Sequence, residues 1–314
     1  MPPLIKPPHL QPGQTIGLIA PSGTAQAGGT VEAVEAARAR LGERGYRTVV
    51  APHAFDARGY LAGTDADRAA DLHAMFRDPD VHAVLCIRGG YGTMRLLEGL
   101  DYDLIRRHPK VFIGYSDVTA LHLAFHRRVG LVTFHGPMAG ALAQADPHDL
   151  THLLRAVSRP EPLGPLANPA GGPVTEMLVP GMAEGRLVGG NLALVTALLG
   201  TPYQPALEGA LVFLEDIVDH AYRLDRKLLQ LRLAGALDAA AGIVIGECRL
   251  RDGPPEPALT VREILQDLIA PLGKPAIYGL ACGHGTYHLT LPIGVRALLD
   301  ATRGVLSIEE AAVV

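Results

Sequence analysis

Three side chains in this sequence have the types and settings that acyl-transfer chemistry requires: Ser116, His284 and Glu215. Ser116 lies in Val111-Phe112-Ile113-Gly114-Tyr115-Ser116-Asp117-Val118-Thr119. The apolar run predicts a buried strand that stops at Gly114. Apolar residues then return at helical spacing from Thr119 to Phe125. A serine on so sharp a strand-to-helix turn projects its hydroxyl from the sheet, with the N–H of Asp117 aligned to the helix N-terminus, as in a nucleophile elbow. The usual elbow reads G-x-S-x-G, and position 118 here is Val. The competing reading of Ser116 is a helix N-cap, a position serine favours.

A hydroxyl is a weak nucleophile without a base. His284 follows a predicted strand in Gly283-His284-Gly285, where small neighbours leave an imidazole accessible; otherwise it is a turn histidine. Glu215 and Asp216 close the apolar run Leu211–Leu214. A carboxylate there would accept the imidazole N–H, fix its tautomer and stabilise the imidazolium, or else cap a turn or pair with Arg223 or Arg226. Arg88-Gly89-Gly90-Tyr91-Gly92 is a glycine loop opening a helix. It fits a phosphate cradle, one half of an oxyanion hole whose other half is the Asp117 amide, or a plain tight turn. It is neither G-x-G-x-x-G nor a Walker loop.

The elements that would position these groups alternate. Strands are predicted over Thr15–Ala20, Tyr46–Ala51, Ala83–Ile87, Val111–Ile113 and Leu131–Phe134. Helices are predicted over Val31–Leu41, Thr64–Phe76, Thr93–Leu100 and Thr119–Phe125, with Arg68 and Asp71 on the wet face of the second. That order implies parallel βαβ units, whose ligands bind at the carboxyl ends of the strands. From Ser158 to Val174 the texture becomes Pro- and Gly-rich without periodicity, which reads as a linker. The expected organisation is residues 1–157, a linker over 158–174, and a smaller α/β domain with a mixed sheet over 175–314. In that domain strands are expected over Gly209–Glu215, Gly242–Gly246 and Pro275–Leu280, helices over Tyr222–Leu233 and Val261–Ile269, and closing strands over Leu289–Pro292, Val295–Asp300 and Val305–Glu309.

Composition bounds the partners. With 28 Lys+Arg against 32 Asp+Glu, the 314-residue chain carries a net charge of −4. That argues against nucleic acid or an anionic membrane as a partner. The proline-rich start lacks the apolar core of a secretory signal and no apolar run is long enough to span a bilayer, so a cytoplasmic protein is expected. Cys86, Cys248 and Cys282 have no C-x-x-C spacing and read as small buried residues. There is no H-E-x-x-H. His122 and His126 share a helix face but read as surface or interdomain residues rather than ligands. No metal and no cofactor is expected.

Taken together, Ile87–Gly92, Phe112–Leu121, Gly189-Gly190-Asn191-Leu192 with Leu199–Tyr203, Phe213–Asp216 with Tyr222–Arg226, and Gly283-His284 with Leu291–Gly294 resemble the LD-carboxypeptidase family. These serine peptidases include murein tetrapeptide carboxypeptidases and microcin-immunity peptidases. The resemblance implies a flavodoxin-like N-terminal domain carrying the nucleophile Ser116, and a C-terminal domain carrying Glu215 and His284. It also implies an oxyanion hole from Asp117 and Gly89 or Gly90, and a homodimer. Arg88, Tyr91, Asn191 and Arg223 are the candidates for contact with substrate.

The leading expectation is release of a terminal D-amino acid from murein tetrapeptide by cleavage of an L,D amide bond during cell-wall recycling. A second keeps the triad but takes a peptidyl or aminoacyl adenylate. A third is a non-catalytic phosphate- or nucleotide-binding protein. The chain has no Trp to serve as a stacking platform for adenine, which favours the peptide. The sequence leaves open whether the third residue of the stem peptide is meso-diaminopimelate or Lys.

Overall fold

Continuous aliphatic runs become strands buried on both faces, as parallel sheets require. A computed structural model describes residues 2–26, 30–251 and 258–314. The chain forms two compact units. The first comprises residues up to Glu161 together with Thr290–Pro292 and Ala312–Val314; the second comprises Pro162–Leu289 and Ile293–Ala311.

The first unit places β1 (Thr15–Ile19), β2 (Arg47–Val50), β3 (Val81–Cys86), β4 (Val111–Gly114) and β5 (Thr133–His135) in the parallel order β2-β1-β3-β4-β5. A late segment, Leu291–Ile293, joins beyond β5. This is the flavodoxin-like order, with its topological switch between β1 and β3. The helices are α1 (Thr30–Glu43), α2 (Asp65–Arg77), α3 (Tyr102–Arg107), α4 (Thr119–Arg128), α5 (Ala139–Leu142) and α6 (Pro147–Ser158). Thr64 caps α2 in a reciprocal box with Asp67, which satisfies two otherwise orphaned amides. The loop after β1 meets the loop after β3 where Gly23 N–H donates to Gly89 O at 3.2 Å.

The second unit is built on an eight-stranded mixed sheet. Its strands are β6 (Gly164–Leu166), β7 (Glu176–Val179), β8 (Met182–Asn191), β9 (Leu211–Val218), β10 (Gly242–Leu250), β11 (Ala276–Gly283), then, after β12 (Leu291–Ile293) of the first sheet, β13 (Arg296–Asp300) and β14 (Val305–Ile308). The order is β6-β14-β13-β8-β9-β10-β11-β7. β8 through β11 run parallel, while β13, β14, β6 and β7 flank them antiparallel. β8 serves both regimes. Met182–Arg186 pair antiparallel with β13, and Leu187–Asn191 pair parallel with β9. The helices are α7 (Leu192–Ala197), α8 (Ala221–Leu233) and α9 (Val261–Leu268). The two-domain α/β fold expected from the sequence is therefore present, one sheet mostly parallel and the other mixed.

Three expectations need correction. The stretch 158–174 is not a featureless linker. Ser158 ends α6, Gly164–Leu166 is an edge strand against β14, and the Asn168 amide bridges Gly279 O and Ala281 N–H at 2.7 Å each. Prolines are tolerated there because an edge strand need not donate on its outer side. Arg68 and Asp71 do not face water: they are 1% and 4% exposed. Arg68 donates to Pro21 O and Gly92 O and to the Asp65 carboxylate, and Asp71 accepts the His53 N–H at 3.1 Å. Loop carbonyls on the inner side of α2 need a donor and the His53 amide needs an acceptor; Arg68 supplies the first and Asp71 the second. His122 and His126 are likewise buried. His122 Nε2 lies 2.8 Å from Gly114 O and its ring stands edge-on to Phe112, while burial pushes the imidazole down to about 4. It is neutral, so Nε2–H donates.

Candidate active site

In the first unit the site is built at the carboxyl ends of β3 and β4. β4 ends at Gly114, where a Cβ would meet Val118 Cγ1 at 2.7 Å. Glycine at 114 thus admits valine at 118, and the departure from G-x-S-x-G is accommodated on the other side of the turn. The backbone then reverses through Ser116, the one non-glycine residue with left-handed φ (+61°) among the described residues. Such a conformation costs roughly 1–3 kcal/mol and persists where the surroundings impose it. An N-cap residue has extended backbone, so this φ sets the cap reading aside. A 3-10 turn over Ser116–Val118 leads into α4.

The glycine loop after β3 sits directly against this turn. A Cβ on Gly89 would lie 2.9 Å from Ser116 Cβ, 3.1 Å from its Oγ and 3.5 Å from the Asp117 nitrogen. Two clamps fix the approach. The buried Asp117 carboxylate accepts Thr93 N–H at 2.9 Å, and Thr93 Oγ1–H returns to Asp117 O at 2.5 Å. Arg68 holds the Gly92 carbonyl at 3.0 Å. Neither Thr93 nor Arg68 stood out in the sequence. The only signal for Arg68 was a charge at a helical position that turned out to face inward.

In the second unit His284 and Glu215 meet. His284 Nδ1 lies 2.7 Å from Glu215 Oε2, with the carboxylate fully buried and the imidazole 14% exposed. β9 delivers Glu215, and β11 delivers His284 one residue past its end. Between them lies Gly283 (φ +117°), where a Cβ would strike Glu215 Oε2 at 2.6 Å. Only glycine lets the carboxylate lie beneath the histidine turn. Burial pulls the imidazole pKa down, but the Glu215 hydrogen bond and the Glu215 and Asp216 charges outweigh it; the net shift is upward, with Arg251 opposing.

Asn191 is drawn into the same group. It is buried, and its Nδ2 donates to Glu215 Oε1 and Asp216 Oδ1 at 3.2 Å each, while its Oδ1 caps α7 on Ala193 N–H. This side chain, a candidate for substrate contact in the sequence, is thus hydrogen-bonded to the Glu215 carboxylate and orients it. Lys227 Nζ meets Asp216 Oδ2 at 2.5 Å. Arg249 Nη1 donates to His284 O at 2.9 Å. β10 bulges at Gly246–Glu247, bringing Glu247 opposite Gly283. Burial raises the Glu247 carboxyl, with Arg249 opposing and the Glu215 charge adding to the rise. Glu247, passed over in the sequence, closes a buried strand in the same way as Glu215.

The other candidates are placed as follows. Arg88 donates to Thr24 O at 2.9 Å and so braces a loop. Gly90, beside Gly89, has a φ of +114°. Tyr91 is exposed and meets Tyr60 edge-on at 5.6 Å. Arg223 is exposed, 3.7 Å from Asp219. In the first unit His53, Asp56 and Asp67 could together reach one cation, but His53 Nδ1 already contacts Asp56 Oδ2 at 2.9 Å and Asp67 belongs to the α2 capping box.

Residues 16–136 match the family model of the LD-carboxypeptidase N-terminal domain, and residues 184–299 that of the C-terminal domain. A probable murein peptide carboxypeptidase of Bacillus subtilis is 42% identical over 97% of this chain and 94% of its own length. Among solved structures, a microcin C7 self-immunity protein superposes with a TM-score of 0.91 at 25% identity, covering 99% of this chain and 100% of its own. A muramoyltetrapeptide carboxypeptidase from Oxalobacter formigenes gives 0.80 at 30% identity, covering 95% and 99%.

Proposed function

This chain belongs to the LD-carboxypeptidase family, and we propose that it is a serine-type carboxypeptidase that releases the terminal D-amino acid from murein tetrapeptide. Ser116 Oγ attacks the carbonyl of the L,D amide. His284 takes the hydroxyl proton and returns it to the leaving amine. Glu215 holds the imidazole in the tautomer in which Nε2 is the accepting nitrogen. The Asp117 amide and that of Gly89 or Gly90 receive the oxyanion. Water then repeats the sequence on the acyl-enzyme. The observation that carries this reading is the 2.7 Å pairing of His284 with a fully buried Glu215. A desolvated carboxylate on one imidazole nitrogen is what a general base needs to bear a transient positive charge.

The murein peptidase relatives support this substrate, and with it we propose a role in cell-wall recycling, in the cytoplasm and as a homodimer. A second reading, hydrolysis of a peptidyl or aminoacyl adenylate, is favoured by one feature besides the likeness to the immunity protein. Tyr222 is 53% exposed, stacks on His220 at 5.4 Å, and borders a cavity of about 220 Å³. With His220 stacked on it and Arg226 over it at 5.3 Å, the ring forms an aromatic and cationic surface beside that cavity in a chain without Trp.

The test is kcat/KM on L-Ala-γ-D-Glu-meso-diaminopimelate-D-Ala and on an aminoacyl adenylate analogue with one preparation. Tripeptide and free D-Ala, with a serine-directed phosphonate adduct on Ser116, support the peptidase. A tenfold preference for the adenylate analogue moves the protein to the second reading. Absence of both turnover and adduct leaves only a binding role.

A further inference from the structure

Immediately beyond Glu215 and Asp216, the carboxyl ends of β9 and β10 open on a cavity of about 480 Å³. Arg223, Arg226, Lys227 and Arg251 line it, with Asp219 and Tyr222. Three of the cations come from α8, which starts three residues after β9 ends. The fourth is fixed where Arg251 N–H donates to Val218 O at 2.9 Å.

The charges within the cavity do not balance. Lys227 is matched by Asp216. Asp219 is shared between Arg223 at 3.7 Å and Arg251 at 3.8 Å, both looser than a hydrogen-bonded pair. Arg226 lies over the Tyr222 ring, 5.3 Å from its centroid. Four cations thus face two carboxylates. Like charges held this close repel, and an anion offering oxygens to several guanidinium groups relieves that repulsion. The cavity adjoins the catalytic pair: Asn191 bonds both Glu215 and Asp216, Lys227 bonds Asp216, and Arg251 is among the charges felt by the His284 imidazole. Carboxyl ends of parallel strands are also where ligands of α/β sheets collect.

We infer that this cavity is a carboxylate subsite of the enzyme, in which Arg226 and Arg251, with Arg223, bind an anionic group of the stem peptide. The inference rests on the peptidase reading. Two carboxylates of a murein tetrapeptide lie near the scissile bond: that on the side chain of a diaminopimelate at position three, and the terminal one of the D-residue. Both have the chemistry the cavity selects. A lysine at position three would bring an ammonium to the same cations and be disfavoured.

The test compares wild type with Arg226→Gln and Arg251→Gln on three peptides: the diaminopimelate tetrapeptide, its Lys counterpart, and the diaminopimelate peptide amidated at its C-terminus. The expected result is a fall of tenfold or more in kcat/KM for the first peptide in each variant, with an unchanged melting temperature. A smaller fall for the Lys peptide assigns the subsite to the side-chain carboxylate. A smaller fall only for the amidated peptide assigns it to the terminal carboxylate. Equal falls on all three, or none, overturn the inference. Calorimetric titration of the Ser116→Ala protein with the diaminopimelate tetrapeptide separates this from failure of the functional reading. Binding weakened tenfold by Arg226→Gln supports the subsite even if wild type cleaves no peptide, and binding that Arg226→Gln leaves unaltered overturns it even if the peptide is cleaved.

Discussion

A Cβ placed on Gly89 would lie 2.9 Å from the Cβ of Ser116 and 3.1 Å from its Oγ. The glycine after β3 and the serine after β4 are therefore seated against one another, and the size of one limits the position of the other. Gly89→Ala should push the elbow or the glycine loop aside by several tenths of an ångström. Misplacement of reacting groups by about 1 Å is worth about 10²-fold, so kcat should fall at least tenfold while the melting temperature moves by only a few degrees. Turnover of D-Ala release measures the first and calorimetry the second. Wild-type kcat in Gly89→Ala would show that the contact does not position the nucleophile.

Ser116 holds a backbone conformation that glycine adopts without penalty. Ser116→Gly should abolish hydrolysis and raise unfolding free energy by about 1 kcal/mol, the strain of a side chain in the left-handed region. Urea denaturation reads the stability. A loss of stability on this substitution would mean that the serine side chain holds the elbow together rather than being strained by it.

The pH dependence follows from His284, whose pKa is raised above its ordinary 6.5 despite burial. The base form is neutral, so the acid limb of kcat/KM should have its midpoint above 6.5. Glu215→Gln removes the negative charge that raises it and leaves the burial that lowers it, so the limb should move to lower pH as the rate drops. A limb that stays in place would assign it to another group. Stability follows the same sign. A raised folded-state pKa contributes fully below the unfolded value and is lost as pH rises through the folded one. The stability advantage of wild type over His284→Gln should be larger at about pH 5.5 than at about pH 9.

Asn191 donates to both Glu215 and Asp216 from a buried position. Asn191→Leu leaves two buried carboxylates short of a donor and removes the cap of α7, so it should destabilise the protein by about 2–4 kcal/mol. Asn191→Ser, which can still cap the helix, should recover part of that stability but not kcat, because the shorter hydroxyl does not span both carboxylates. Full recovery of kcat by serine would show that Asn191 acts only as a cap.

The local grammar of the chain was open to inspection in the sequence. Apolar runs bounded by glycine located the strands. Thr64-Asp65 at the head of a helical run located the start of α2, and the change from strand to helix spacing around Ser116 located the elbow. The triad candidates were legible because each stands at the end of an apolar run, and strand ends are where a parallel sheet presents its ligand-binding groups. What tertiary structure decided was the destination of each polar side chain. Arg68 and Asp71 carry the helical spacing of surface residues, yet they are consumed by loop carbonyls and amides distant in sequence. Asn191, a substrate-contact candidate in the sequence, hydrogen-bonds two carboxylates on the neighbouring strand. Glu247 comes opposite Gly283 only through a bulge. A hydrophobic pattern is set by residues a few positions apart and can be read along the chain. A buried polar group must find its partner wherever the fold brings one, and Arg68, Asp71 and Asn191 each take partners 18 to 47 positions away besides any local ones.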